Sequence, residues 1–250
     1  MTKQRLDIEM AQRQLVNSRS QAESFIKLGK VTVDGRSITK AGTFVSVNAA
    51  IELQAEEQYV SRAGLKLASV AKLLNLNFVD ATVLDVGSST GGFTDYALKN
   101  GAQKVYAVDV GTDQLHPSLH GHDRIELHEK TDIRDFIPST TPDVIVIDVS
   151  FISLRDILPH LARHAAGSNT KIAAMVKPQF EAGRNQTTKG VIKNDAVRRQ
   201  ILKDFEIWAK ELFTVVDKRD SEVAGAKGNR ERFYLLTLKR NSTTSPGRIT

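Results

Sequence analysis

The sequence predicts a doubly wound α/β fold with a seven-stranded, mostly parallel sheet, preceded by a small N-terminal α+β domain. Three observations carry this expectation. Strand-like apolar runs alternate with helical stretches along most of the chain; one run leads directly into a glycine-rich turn; and the N-terminal segment switches abruptly from helical to strand periodicity.

Length and composition set the frame. At 250 residues the chain suits one large domain plus a small one, and 40% hydrophobic with 26% charged residues is ordinary globular composition. A net charge of +6 is compatible with a polyanionic partner. The absence of cysteine removes disulfides, thiolate zinc sites and cysteine nucleophiles, and suits a reducing compartment. The start MTKQRLDIEM has no apolar core. The longest apolar runs, such as 144–147 and 172–176, fall far short of the roughly 18 residues of a membrane span. The expected location is the cytoplasm, with no membrane partner; oligomeric state is open.

From Arg5 the pattern reads as two short amphipathic helices. The first bears Leu6, Leu15 and Val16; the second, capped by Ser18 or Ser20, bears Ala22, Phe25, Ile26 and Leu28 and stops at Gly29. Val31-Thr32-Val33 then alternates into Asp34-Gly35, a hairpin signal, and Phe44, Val45, Val47, Ile51 and Leu53 continue the β segment. Residues 3–40 carry eight Lys or Arg against four acids, a local excess that a solvated helix face would also show. The string RLDIEMAQRQLVNSRSQAESFIKLGKVTVDGR resembles the RNA-binding domain first described in ribosomal protein S-four. That resemblance implies phosphate-backbone contacts by Arg5, Arg19, Lys27, Lys30 and Arg36, and recognition of RNA shape.

The polar stretch 54–58 reads as a linker, giving an N-terminal unit of 1–58 and a second domain of 59–240. In the second domain the strand-like runs are 82–87, 104–110, 124–127, 143–150, 171–177, 213–218 and 232–238. The last two are joined by the short turn AGAKGN and should form an antiparallel edge. The tail 241–250, apolar only at Ile249, is expected to be disordered.

Strand 82–86 enters Gly87-Ser88-Ser89-Thr90-Gly91-Gly92, followed by a helix through Tyr96 and Leu98. Glycines there would let a cofactor approach the main chain, and the helix offers its N-terminal N–H groups. The dinucleotide fingerprint fails because residue 89 is serine, which weakens a nicotinamide reading. Asp109 closes the next strand, 22 residues after Gly87, where such folds set an acid against a ribose.

Four more ionisable residues stand where doubly wound sheets concentrate chemistry. Asp148 and Lys177 end the fourth and fifth runs, Lys66 lies in YVSRAGLKL, and Glu231 opens the last run. Singly, each has a plain reading as well, a helix cap for Asp148 or a solvated helix position for Lys66. LDVGSSTGGFTD with VYAVDVG, together with SRAGLKL, IDVSFISL, VKPQFEAGR and GNRE, is similar to the TlyA family, known both as haemolysin-like proteins and as rRNA 2′-O-methyltransferases. Lys66, Asp148, Lys177 and Glu231 resemble the Lys-Asp-Lys-Glu tetrad of FtsJ-like and TlyA methyltransferases. Ala63-Gly64 departs from the two glycines common in that family but keeps Lys66 in register.

The resemblance implies a Rossmann-like class I methyltransferase that uses S-adenosyl-L-methionine to methylate a ribose 2′-hydroxyl, most readily a cytidine of ribosomal RNA, free or within a subunit. It places Gly87, Ser88, Ser89, Gly91 and Gly92 around the methionine portion, Asp109 on the ribose and Asp132 near the adenine. Asp85 either reaches the cofactor amino group through water or orders the turn.

The chemistry asks for groups that favour deprotonation of a poor nucleophile and align it for in-line transfer. Two neighbouring ammonium groups would repel and free one as base. Lys177 is assigned as base, oriented by Asp148, and Lys66 as positioner and stabiliser, organised by Glu231; which lysine gives up the proton stays open. No metal is needed. A membrane-active haemolysin and a non-catalytic ribosome assembly factor are the alternatives from other classes.

Overall fold

The computed structural model describes residues 3–16, 19–27, 29–53, 59–182, 191–192, 194–223 and 229–239. The N-terminal part contains β1 (Lys3–Arg5), α1 (Leu6–Gln12), α2 (Arg19–Lys27), β2 (Val31–Val33), β3 (Arg36–Ser37), β4 (Phe44–Ser46) and β5 (Ile51–Leu53). β1 pairs with β4, and β2 pairs with both β3 and β5, all antiparallel. The β2–β3 hairpin turns at Asp34 and Gly35, both with positive φ (49° and 77°), the backbone that a two-residue turn between twisted strands requires.

Two local expectations are corrected. The first helix stops at Gln12 because Gln14 adopts φ 56°, although Val16 still reaches the core. The second starts at Arg19, so Ser20 lies inside it and is not its cap; Ser18 and Leu28 lie outside the described residues. Gly29, with φ 69°, does end this helix: its N–H bonds to Ile26 O and that of Lys30 to Phe25 O, closing the exposed carbonyls.

The larger part runs α3 (Arg62–Ala71), β6 (Thr82–Val86), α4 (Gly92–Lys99), β7 (Lys104–Val108), β8 (Ile125–His128), β9 (Val144–Ile147), α5 (Leu154–His164), β10 (Lys171–Val176), α6 (Pro178–Glu181), α7 (Asp195–Leu212), β11 (Phe213–Asp220) and β12 (Arg232–Leu238). The seven strands form one sheet in the order β11-β12-β10-β9-β6-β7-β8. β10, β9, β6, β7 and β8 are parallel, and β12 lies antiparallel between β10 and β11. This is the sheet of class I methyltransferases. β7 and β9 end at Val108 and Ile147, earlier than the sequence runs suggest, because Asp109 and Asp148 already belong to the turns.

Alternation along the strands divides the core. Leu84, Val86, Tyr106, Ile145 and Ile147 pack under α5 and α7, while Val83, Val105, Val144 and Val146 pack under α3 and α4. The chain leaves β6 for β7 on one side and reaches β9 on the other, so a crevice opens at the C-terminal ends of β6 and β9. A third apolar cluster, built on Leu6, Met10, Phe25, Ile26 and Val31, also takes in Leu65 of α3 and Val223, which joins the N-terminal part to the larger one.

Candidate active site

The crevice is shaped by the turn between β6 and α4. Gly87 has φ 79°, and a Cβ there would stand 2.8 Å from the Asp148 carbonyl oxygen; glycine lets the turn abut the loop after β9. Asp109 fixes the turn from the side: its Oδ2 accepts the Ser89 N–H at 2.8 Å and its Oδ1 the Gly111 N–H at 2.7 Å.

Two cavities meet at this turn. One, ≈ 440 Å³, lies between Asp109 and Asp132 on one side and Ser150 to Ile152 on the other, with Val108, Val110 and Ile133 as apolar wall. The other, ≈ 150 Å³, is lined by Asp85, Ser88, Asp148, Ser150 and Lys177. Gly87, Ser89, Asp148 and Ser150 belong to both. Gly91 and Gly92, expected around a cofactor, line neither cavity. Gly91 has φ 85°, a backbone that favours glycine, and a Cβ at Gly92 would stand 2.8 Å from Ala63 Cβ, so turn geometry and packing behind the turn set the need for glycine.

Asp85 is fully buried. Its Oδ2 accepts the Thr94 hydroxyl at 2.7 Å, whereas Oδ1 and the nearby Ser88 Oγ are buried with no hydrogen-bond partner among the described residues. Burial pushes the Asp85 carboxyl up to about 7, the Thr94 hydroxyl opposing and the Asp148 and Asp109 charges adding to it. Asp132 lines the larger cavity but is engaged: Arg134 Nε and Nη2 donate to it at 2.9 and 2.6 Å, and hydrogen bonding by that guanidinium holds its carboxyl below the usual range.

The four tetrad residues form two ion pairs. Lys177 Nζ lies 2.5 Å from Asp148 Oδ1 and donates to Ser150 Oγ at 2.8 Å, all three residues lining the smaller cavity. Lys66 Nζ lies 2.5 Å from Glu231 Oε2, with side chains 9% and 3% exposed, and neither residue lines either of these two cavities. Each ammonium therefore faces its own carboxylate.

Sequence reasoning did not single out Ser150 or Phe151. Phe151 is 92% exposed, adopts φ 67°, and lines the larger cavity with its ring 5.3 Å from that of Phe180. An aromatic residue in a left-handed conformation at a strand end is a costly arrangement, and cost of that kind gathers at functional sites. The available signal was an aromatic three residues beyond a strand-end aspartate.

In the N-terminal part, Lys27, Lys30 and Arg36 are exposed. Arg5 and Arg19 each pair with an acid. Arg5 donates to both oxygens of fully buried Asp7 at 2.9 Å, and Arg19 Nε donates to Asp7 Oδ2 at 2.7 Å. A buried carboxylate needs such partners. Burial alone would raise the Asp7 carboxyl, but the two guanidiniums overcome it and hold it at about 2.

The FtsJ-like methyltransferase family matches residues 59–239, and the S4 domain matches residues 4–51. The chain is 36% identical over 248 residues to the 16S/23S rRNA (cytidine-2′-O)-methyltransferase TlyA of Mycobacterium tuberculosis, covering 96% of this chain and 92% of that protein. It is 36% identical to Hemolysin A of Brachyspira hyodysenteriae, covering 91% and 97%. A solved structure of a candidate hemolysin from Streptococcus thermophilus superimposes with TM-score 0.71 at 36% identity, covering 96% and 90%. Among the described residues no helix is long and apolar enough to cross a membrane.

Proposed function

The chain belongs to the FtsJ-like methyltransferase family, and from that premise we propose that it transfers a methyl group from S-adenosylmethionine to a ribose 2′-hydroxyl of RNA, most readily a cytidine of ribosomal RNA, alone or in a subunit. The observation that carries this reading is the Lys177–Asp148 pair, which lines the same cavity as Asp85 with its unpartnered oxygen.

The residues present fit the cofactor. The Asp85 carboxylate and Ser88 hydroxyl offer buried acceptors suited to an ammonium group, Asp109 offers an acid at the rim of the larger cavity, and the wall of Val108, Val110 and Ile133 suits a flat base. When bound, the cofactor supplies a methyl group activated by a sulfonium. Asp148 and Ser150 fix the Lys177 amine; in its neutral form that amine takes the hydroxyl proton, and as an ammonium it stabilises developing negative charge. Lys66, held by Glu231, positions the hydroxyl and stabilises the charge that develops on it. The exposed Phe151 ring offers a face on which an unstacked acceptor base can rest.

We assign residues 1–58 to RNA docking through Lys27, Lys30 and Arg36, and residues 59–240 to catalysis. The tail 241–250, expected to be disordered, lies outside the described residues. The test is transfer of labelled methyl from S-adenosylmethionine to ribosomal RNA, naked and as subunits. Lys177→Ala is expected to lower the rate by at least about a thousandfold while the protein stays folded, and an unchanged rate would contradict the assignment.

A further inference from the structure

The loop that carries Lys177 is held by a residue outside the tetrad. After β10 the chain runs through Lys177 into α6, a single turn of four residues. One turn of helix has too few internal hydrogen bonds to hold its own shape. What anchors it is Glu181, whose side chain is 2% exposed. Its Oε2 accepts the Ser153 hydroxyl at 2.6 Å, its Oε1 accepts the Leu154 N–H at 2.7 Å, and Arg155 Nε stands 3.6 Å away. Ser153 is the N-cap of α5, so the carboxylate closes the first turn of that helix and meets its positive end.

The loops after β9 and β10 are therefore tied at both ends. At one end Lys177 reaches Asp148 and Ser150; at the other Glu181 reaches Ser153 and Leu154, with the Phe151–Phe180 contact between. Burying a carboxylate is costly without such partners, and here the partners belong to the loop that supplies Asp148.

We propose that Glu181 is a positioning residue for methyl transfer: by clamping α6 to the N-terminus of α5 it holds the Lys177 amine on Asp148 and Ser150. The proposal rests on the reading of Lys177–Asp148 as the reacting pair. Glu181 lines neither cavity, so its loss acts through the loops it holds.

The test measures kcat, acceptor KM, cofactor affinity by calorimetry and the urea midpoint of the full chain. Glu181→Ala is expected to lower kcat by about a hundredfold, the scale of a misplaced reacting group, with acceptor KM and cofactor affinity within about twofold of wild type. Glu181→Gln, whose amide oxygen still accepts the Leu154 N–H, is expected to recover about tenfold of that loss. Should Glu181→Ala fail to fold, Ser153→Ala removes the other end of the clamp and is expected to lower kcat by about tenfold at unchanged KM. Wild-type kcat in the variants, or a loss that follows only the unfolded fraction and is equal for Gln and Ala, overturns the proposal. Lys177→Ala run alongside separates the failures: if it is inactive while Glu181→Ala is fully active, only the positioning role falls, and if it is itself fully active, the reading of the reacting pair falls and the clamp with it.

Discussion

Asp85 is the residue at which stability and the proposed cofactor binding both depend on pH. Its carboxyl sits at about 7 in the folded protein against an ordinary value of 3.8, chiefly through burial. Between those values the folded chain keeps a proton that the unfolded chain has lost, so the contribution of Asp85 to stability is present below pH 3.8 and is lost as pH rises through about 7. Asp85→Asn should remove that slope and gain stability over wild type at pH 8 relative to pH 4, as read by urea titration at both values. The ionised form is the one suited to a cationic ligand, so calorimetry should show wild-type S-adenosylmethionine affinity rising from pH 6 to pH 8. The Asn variant should bind more weakly and with a flatter profile. An equal slope in both proteins would remove Asp85 from the cofactor site. This residue was visible in the sequence as an acid before a glycine turn. Which of its oxygens is left without a partner was not, because that depends on the one Thr94 takes.

At the scale of elements, the Lys66–Glu231 pair ties α3 to the approach to β12 from positions 165 residues apart. Breaking such a pair strands a charge in a site only a few per cent exposed. Lys66→Met should therefore cost about 3 kcal/mol of stability, while Lys66→Met with Glu231→Leu should regain most of it yet remain inactive. Urea melts with methyl-transfer assays on the same preparations check both; an active double variant would make the pair purely structural. Strand alternation, the Asp34-Gly35 hairpin and the antiparallel last strand were legible because each is written in local period or turn chemistry. The partners within the tetrad were not, since pairing is a property of the closed sheet. The short α6 was illegible for the same reason: its stability comes from Glu181 docking on α5.

At the scale of the whole molecule, the N-terminal part presents positive charge and packs on Leu65, the residue next to Lys66, and on Val223. Removing residues 1–58 would uncover both apolar side chains, so RNA binding is better tested by charge than by truncation. Lys27→Ala, Lys30→Ala and Arg36→Ala together should weaken RNA binding uniformly across sequences and reduce the salt dependence of log K by about one unit for each phosphate no longer neutralised. Filter binding at several salt concentrations measures this, and an unchanged slope would place the RNA elsewhere. The basic excess was legible in the sequence, but not that Arg5 and Arg19 are drawn onto buried Asp7. The central claim, methyl transfer to a ribose hydroxyl, is tested most directly by digesting ribosomal RNA after reaction with the enzyme and labelled S-adenosylmethionine and identifying the modified nucleoside by mass spectrometry. The expected product is 2′-O-methylcytidine, absent with Lys177→Ala; label on a base, or no label on any RNA or subunit offered, would contradict it.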